Sequence, residues 1–418
     1  MKRRTYILTS GAAVAVALAT ATGFVLTRTE SVPTPPFLPP AATDFTAARL
    51  MTPASKSPRA QSKATPKLTR HFEYVFPDGE MDVYDIDHGF RLVERALIPQ
   101  AHAVRGVAVS PRTHSLYLAL GGDGGSEGHG SLLKFNLLTK RVVWQRRFPT
   151  GIDSPAITPD GKTLYLPTGE LASGDVWWVV DTSNGRVLSL LHGGTSPHNT
   201  VMGPDGSRVY LAPRNGDYLV VANTRTNEVI QQVGPLKHGV RPFTIDGRQR
   251  FAYTTATGFL GFQASSLTSG HLLYTVPIPG FRYDPSTFSP TTPSHGIALS
   301  PDSTQIWVVD APNSYVHKFD VSGLPDAAPK HLADVQLAHP MSGDETPCAY
   351  DCARDGWLQE SADGRFLFVG DSGDVVATRT QHVVAFLPAL RNSRFLLELD
   401  WKHGLPVATT TRSSIGHP

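Results

Sequence analysis

The sequence predicts an all-β chain folded as a seven-bladed β-propeller, its ring closed by pairing of N- and C-terminal strands. Three observations predict it. One pattern recurs six times: a short apolar strand, a Pro-Asp-Gly-type turn, then a strand of the form apolar-aromatic-apolar. Each copy leads into two further strands joined by a polar turn, which completes a four-stranded unit. A seventh set at the front of the chain lacks its opening strand, and an unclaimed apolar strand lies near the C-terminus.

The copies place residues 107–111 before 116–118, 156–161 before 164–166, 201–206 before 209–211, 243–247 before 251–253, 297–302 before 306–308, and 361–364 before 366–368. Their turns fall 41 to 61 residues apart, the length of one blade with variable loops. The outer hairpins are clearest at 178–188 and 220–230, where apolar residues alternate around Asn/Gly turns. The front set comprises 72–76, 81–86 and 90–98, and residues 395–399 supply its missing first strand. Joining both ends in one blade closes the ring and removes an exposed sheet edge.

These repeats, with hairpins such as Asp181-Thr182-Ser183-Asn184-Gly185-Arg186-Val187-Leu188 after a Pro-Asp-Gly turn, resemble the YVTN-type β-propeller repeats. That group includes cytochrome d1-like and quinoprotein amine dehydrogenase β-like domains, and the resemblance spans about residues 71–412. The Tyr-Val-Thr-Asn string itself is replaced by Tyr210-Leu211-Ala212-Pro213 or Trp307-Val308-Val309-Asp310. The resemblance implies the fold. For activity it offers lactonase-like enzymes, surface proteins and subunits that support a partner, so function has to be argued from a site.

Composition narrows the classes further. Gly 37 and Pro 34 make 17% of the 418 residues, against about 12% in an average protein, so turns are abundant. With 40% apolar residues the chain is neither disordered throughout nor collagen-like. The formal charge of +2 conceals an asymmetry: residues 1–70 hold ten Lys/Arg and two acids, leaving 28 basic and 34 acidic residues in the rest. A mildly acidic body argues against nucleic acid as a partner, since phosphate backbones require a concentrated basic face.

Lys2, Arg3 and Arg4 precede an uncharged run from Tyr6 to Leu26 with Ala-x-Ala cleavage options. Residues 1–28 therefore read as a signal peptide or, uncleaved, as an N-terminal membrane anchor, and both imply export to the periplasm, the cell surface or the medium. The Arg pair loosely resembles a twin-arginine signal. Residues 29–70 are a Pro/Ala/Ser/Thr-rich linker, expected to be disordered because it buries too little apolar surface to offset ordering entropy. The propeller occupies 71–412 and a tail 413–418. Cys348 and Cys352 are the only cysteines, and in an oxidising compartment they are expected to close a small disulfide loop. Neither C-x-x-C nor C-x-x-C-H occurs, so there is no covalent c-type haem signature.

In a propeller the residue just before each innermost strand faces one mouth of the axial channel. The repeats place Arg105, Asp153, His198, Arg241 and His295 there, with Gly356 and Trp357 in the sixth copy. The arginines, Asp153 and Trp357 are ligand-binding candidates, the arginines for a carboxylate or phosphate, and His198 and His295 are candidates for a divalent metal or for proton transfer. A water-filled channel would carry the same polar lining, solvated and contributing little to stability. The loops 280–294 and 339–356, the second holding both cysteines, lead into His295 and Trp357 and suit a rim or lid. Asp123, Glu127 and His129 sit in a Gly-rich acidic loop that could wrap Ca²⁺, although its spacing is not that of an EF-hand. No Gly-x-Ser-x-Gly elbow or His-Glu-x-x-His helix occurs. The leading expectation is an exported module that binds a small molecule or protein at one propeller face. Alternatives are a lactone hydrolase or lyase using the Arg/His/Asp ring, and a support domain for a redox partner.

Overall fold

The computed structural model describes residues 69–121, 128–288 and 290–411. Within them the chain forms seven antiparallel sheets and no helix beyond short 3-10 turns. Blades 1 to 6 span residues 104–147, 156–192, 197–233, 243–277, 297–336 and 358–386, each four strands in simple sequence order. Among the described residues no helix is long and apolar enough to cross a membrane. The expected signal or anchor, the linker up to residue 68, the tail, and Asp123 and Glu127 of the Gly-rich loop lie outside the described residues; Arg70, expected to end the linker, instead opens a strand.

The repeat signature is now physical. In four of the turns the aspartate accepts from the amide two residues on, as Asp160 does from Lys162 at 3.0 Å and Asp363 from Arg365 at 3.0 Å, and as Asp205 and Asp302 do. Ser110 takes the place of an aspartate in blade 1, and Asp246 in blade 4 accepts from Arg250 and Phe251 instead. Gly161, Gly206 and Gly364 then take left-handed φ angles of 73°, 71° and 72°, which glycine adopts at least cost. The hairpin threonine ties the two halves of a blade together. Thr182, Thr224 and Thr378 donate to the carbonyls of those three glycines at 2.5–2.6 Å.

Alternation in the second strand divides side chains between two cores rather than between core and solvent. In blade 1, Leu116, Leu118 and Leu120 join the cluster shared with the closing blade, whereas Tyr117 and Ala119 join the cluster shared with blade 2. Seven such clusters occur among the described residues, one for each blade-to-blade contact of a closed ring. The recurring aromatic also reaches the next blade: the Tyr165 hydroxyl donates to Asn227 Oδ1 at 2.7 Å, and that of Tyr210 to Gln249 Oε1 at 3.0 Å.

The closing blade joins Arg70–Val75, Glu80–Asp85 and Arg91–Leu97 to Leu396–Lys402, with Arg70 opposite Trp401 and Val75 opposite Leu396. This is the predicted closure. One strand was not predicted: Leu405–Thr411 returns through a tight turn at His403 and Gly404 and pairs on the inner side of Leu396–Lys402, making the sheet five-stranded. Thr409 thereby reaches the wall of the axial channel.

Closure brings Glu73 and Glu398 face to face across the N- and C-terminal strands. Both are buried. Gln359 Nε2 donates to Glu73 Oε2 at 2.9 Å, and the Ala362 amide to Glu398 Oε2 at 2.8 Å; His71, Asp400 and Asp363 also act on Glu398. Burial, then the facing Glu398 charge, raises Glu73 well above the carboxylate range, and burial pushes Glu398 up to about 8. An acid raised in this way keeps its proton in the native state where the unfolded chain has released it. Stability should therefore be full below the ordinary value near 4.5 and fall as pH rises toward about 8, by up to about 1.4 kcal/mol per pH unit for each such group. Thermal melts from pH 4.5 to 8.5 should show this decline, and Glu398→Gln should flatten it and raise the midpoint at pH 8. A variant as pH-sensitive as the parent would remove the pair as the cause.

Candidate functional site

Strands in a blade are antiparallel, so the start of the innermost strand lies beside the end of the second. Residues from these two positions meet at one mouth of the channel. Two of the predicted residues are aimed there by bulges: the pairing register shifts between Val104 and Gly106 and again between Pro197 and Asn199, leaving Arg105 and His198 as the extra residues. Gly106 follows because a Cβ there would lie 2.5 Å from Pro155 Cδ, where the innermost strands of blades 1 and 2 touch.

The structure brings Arg105, Asp153, His198, Arg241, His295 and Trp357 to this end, and all are buried. Their expected solvation is corrected: they are packed into an ion network beneath loops, because mutual neutralisation lowers the cost of removing them from water. Its centre is Glu170, which sequence reasoning missed. Its Oε2 lies 2.6 Å from Arg241 Nη1, 3.0 Å from Arg214 Nη1 and 3.4 Å from His198 Nε2, and its Oε1 lies 3.5 Å from Arg105 Nη2. Asp153 Oδ2 is a further 3.5 Å from Arg105 Nη2, and Thr292 of the 280–294 loop accepts from Arg241 Nε at 2.7 Å. Glu170 and Arg214 follow the second strands of blades 2 and 3, a position the repeats mark as clearly as the one used.

His198 is neutral at neutral pH. Burial holds it well below the imidazole range; Glu170 opposes this, and Arg241, His295 and Arg105 reinforce it. Its Nδ1 and the neighbouring Asn199 Oδ1 are buried with no hydrogen-bond partner among the described residues. The His198 and His295 rings lie 6.4 Å apart. His295 faces Asp355 Oδ1 at 3.2 Å and packs edge-on against Trp357. Three-donor groups of metal-ligand type converge elsewhere among the described residues, at His317/His331/Asp334 and at His71/Glu398/Asp400.

The 339–356 loop reaches onto this mouth. Cys348 and Cys352 form a disulfide that staples a small hairpin whose strands meet at Asp344 and Ala353. From it Asp351 Oδ2 contacts Arg105 Nη1 at 2.7 Å, and the Tyr350 ring lies 5.5 Å from the same guanidinium. Arg394, just ahead of the closing strand, is fully enclosed by the loop. It contacts Asp355 at 2.7 Å, Glu345 at 3.3 Å and Asp371 at 3.6 Å, and donates to the carbonyls of Asp351 and Ala353 at 2.9 and 2.7 Å. Burial, then the Asp371 charge, raises Glu345 well above its ordinary value. The opposite half of the channel holds a cavity of about 360 Å³ lined by Val109, Ile157, Val201, Met202, Phe243 and Thr409. Among the described residues its lining includes no charged side chain, and the ion pairs described above gather at the mouth.

Comparison with solved structures gives a match to hydrazine synthase of Kuenenia stuttgartiensis. The TM-score is 0.50 at 16% identity, over 75% of this chain and 88% of that one. What they share is the fold. No family model matches the chain, and no curated protein matches it. The propeller framework suits an interaction module, and the disulfide fits an oxidising, exported environment.

Proposed function

We propose that the protein is an exported binding module whose charged mouth takes a small ligand bearing a carboxylate or phosphate, with the Cys348–Cys352 loop as its cover. The observation that carries this reading is the convergence of Arg105, Arg214 and Arg241 on the single carboxylate of Glu170. Among the described residues Asp153 also faces Arg105, and Asp351 from the loop approaches the same guanidinium more closely. Asp351 is 42% exposed, so the group occupying Arg105 is also the one nearest solvent. A ligand anion replacing Asp351 would gain a charge-assisted contact with Arg105.

Titration calorimetry of the full chain with succinate and with inorganic phosphate tests this. Arg105→Ala and Arg241→Ala are expected to weaken binding at least about tenfold, the scale of a charge-assisted hydrogen bond. Asp351→Asn should tighten it, since the competing charge is lost, and reduction of the disulfide should act in the same direction by loosening the cover. Absence of binding, or affinities unchanged in both arginine variants, would leave the mouth a structural ion network.

One observation favours a hydrolase or lyase as the second reading. Burial holds His198 below the imidazole range, its Nε2 faces Glu170, and its Nδ1 has no partner among the described residues, which is how a general base is arranged. In that case His198→Ala would abolish turnover and leave anion affinity within a few-fold of the parent.

A further inference from the structure

A second cluster, on the outer strands of blade 5, plays no part in the mouth. His317 lies on the third strand, Tyr315–Asp320, and His331 and Asp334 on the outermost, Lys330–Gln336. Residues three apart on a regular strand face opposite sides. Here a register shift between Lys318 and Phe319 absorbs one residue, pairing His317 with Asp334 and Phe319 with His331, and this brings all three side chains together. Asp334 Oδ1 lies 2.6 Å from His317 Nδ1 and 2.7 Å from His331 Nε2, so one oxygen stands between two imidazole nitrogens.

We propose that His317, His331 and Asp334 form a divalent transition-metal site of the Zn²⁺ class. Two imidazoles and one carboxylate are the donor set such ions prefer, and a fourth position opens outward. All three donor atoms lie within 4.8 Å of one another, so small side-chain rotations would bring them to coordination distance. The inner ligand is held by an outer shell. The other ring nitrogen of His317 faces Asp310 Oδ2 at 3.3 Å, and the buried Asp310 is fixed by Asn313, whose side chain donates to both carboxylate oxygens at 2.8 Å. A carboxylate behind a ligating histidine fixes the ring's tautomer and orientation. Aromatic rings set the imidazoles in place. Phe281, from the lengthened 280–294 loop, meets His317 edge-on at 4.6 Å, and Phe319 meets His331 at 5.2 Å. His317 is fully buried, whereas His331 and Asp334 are 28% and 35% exposed, which gives an ion a route in.

The test is titration of the full chain, stripped with a chelator, with Zn²⁺, and with Co²⁺ as a spectroscopic probe of geometry. One equivalent should bind in the parent with an absorption spectrum of low-symmetry, four-coordinate Co²⁺. His331→Ala and Asp334→Ala lie on an exposed strand, should fold as the parent does, and should lose at least about a hundredfold in affinity. Asp310→Asn should lose about 10- to 100-fold by freeing the His317 ring. His198→Ala and His71→Ala should leave uptake unchanged. Failure to bind one equivalent, uptake that survives His331→Ala, or uptake lost instead in the His198 or His71 variant would each overturn the site. Only loss of uptake in the His198 variant would bear on the mouth, by placing an ion beside Glu170; the other outcomes leave anion binding there untouched.

Discussion

Removal of residues 394–411 is expected to abolish the cooperative unfolding transition. The segment supplies the innermost strand of the closing blade, and Leu396, Leu397 and Leu399 are fully buried in the two cores flanking that blade. At about 2–5 kcal/mol for each deleted large side chain, their loss approaches the whole stability of a typical domain, about 5–15 kcal/mol. The strand Arg70–Val75 would also become a bare edge beside an opened ring. Calorimetry should find no sharp transition in the shortened chain. A melt as cooperative and as high as the parent's would mean that the other six blades hold together without closure.

The second large effect is expected from one residue, Arg394→Met. The substitution preserves volume but leaves Asp355, Asp371 and Glu345 buried around an apolar group. Breaking a buried pair by removing one partner costs about 3–5 kcal/mol. The carboxylates can recover part of this by taking up protons, so the deficit should be largest at alkaline pH and shrink toward pH 4.5, where protonation is easiest. Urea unfolding midpoints across that range measure it. A loss below about 1 kcal/mol at pH 8, or one independent of pH, would show that Arg394 does not hold the network together. Arg394→Lys should fall between parent and Met variant, since lysine restores the charge but not the fork that reaches the Asp351 and Ala353 carbonyls.

The contrast between these two experiments follows how each feature is encoded. The blades were legible because most of them repeat parts of the same local chemistry. The turn aspartate and glycine, the threonine that ties the hairpin to Gly161, Gly206 or Gly364, and the buried aromatic each recur in phase. Closure was legible for the same reason: the front set lacked a strand and the C-terminus had one to spare. The fifth strand, Leu405–Thr411, broke no local rule. His403 and Gly404 take the left-handed φ angles, 54° and 76°, that a two-residue hairpin turn needs, but His-Gly is not a usual signal for one and nothing in a four-stranded repeat requires a further strand inside the channel.

At the mouth, the sequence by itself determined that Arg105, Asp153, His198, Arg241 and His295 share one end, because blade phase fixes where each innermost strand begins. Only the tertiary structure decided that they are buried and what neutralises them. Glu170, Asp351 and Arg394 arrive from segments of unequal length in three different blades, and electrostatic partnership across such distances leaves no periodic trace. The blade 5 cluster was hidden for a narrower reason. A single extra residue in the outermost strand turned His331 onto the face of Asp334, and a one-residue shift of register inverts which side chains meet without altering the composition that announces a strand.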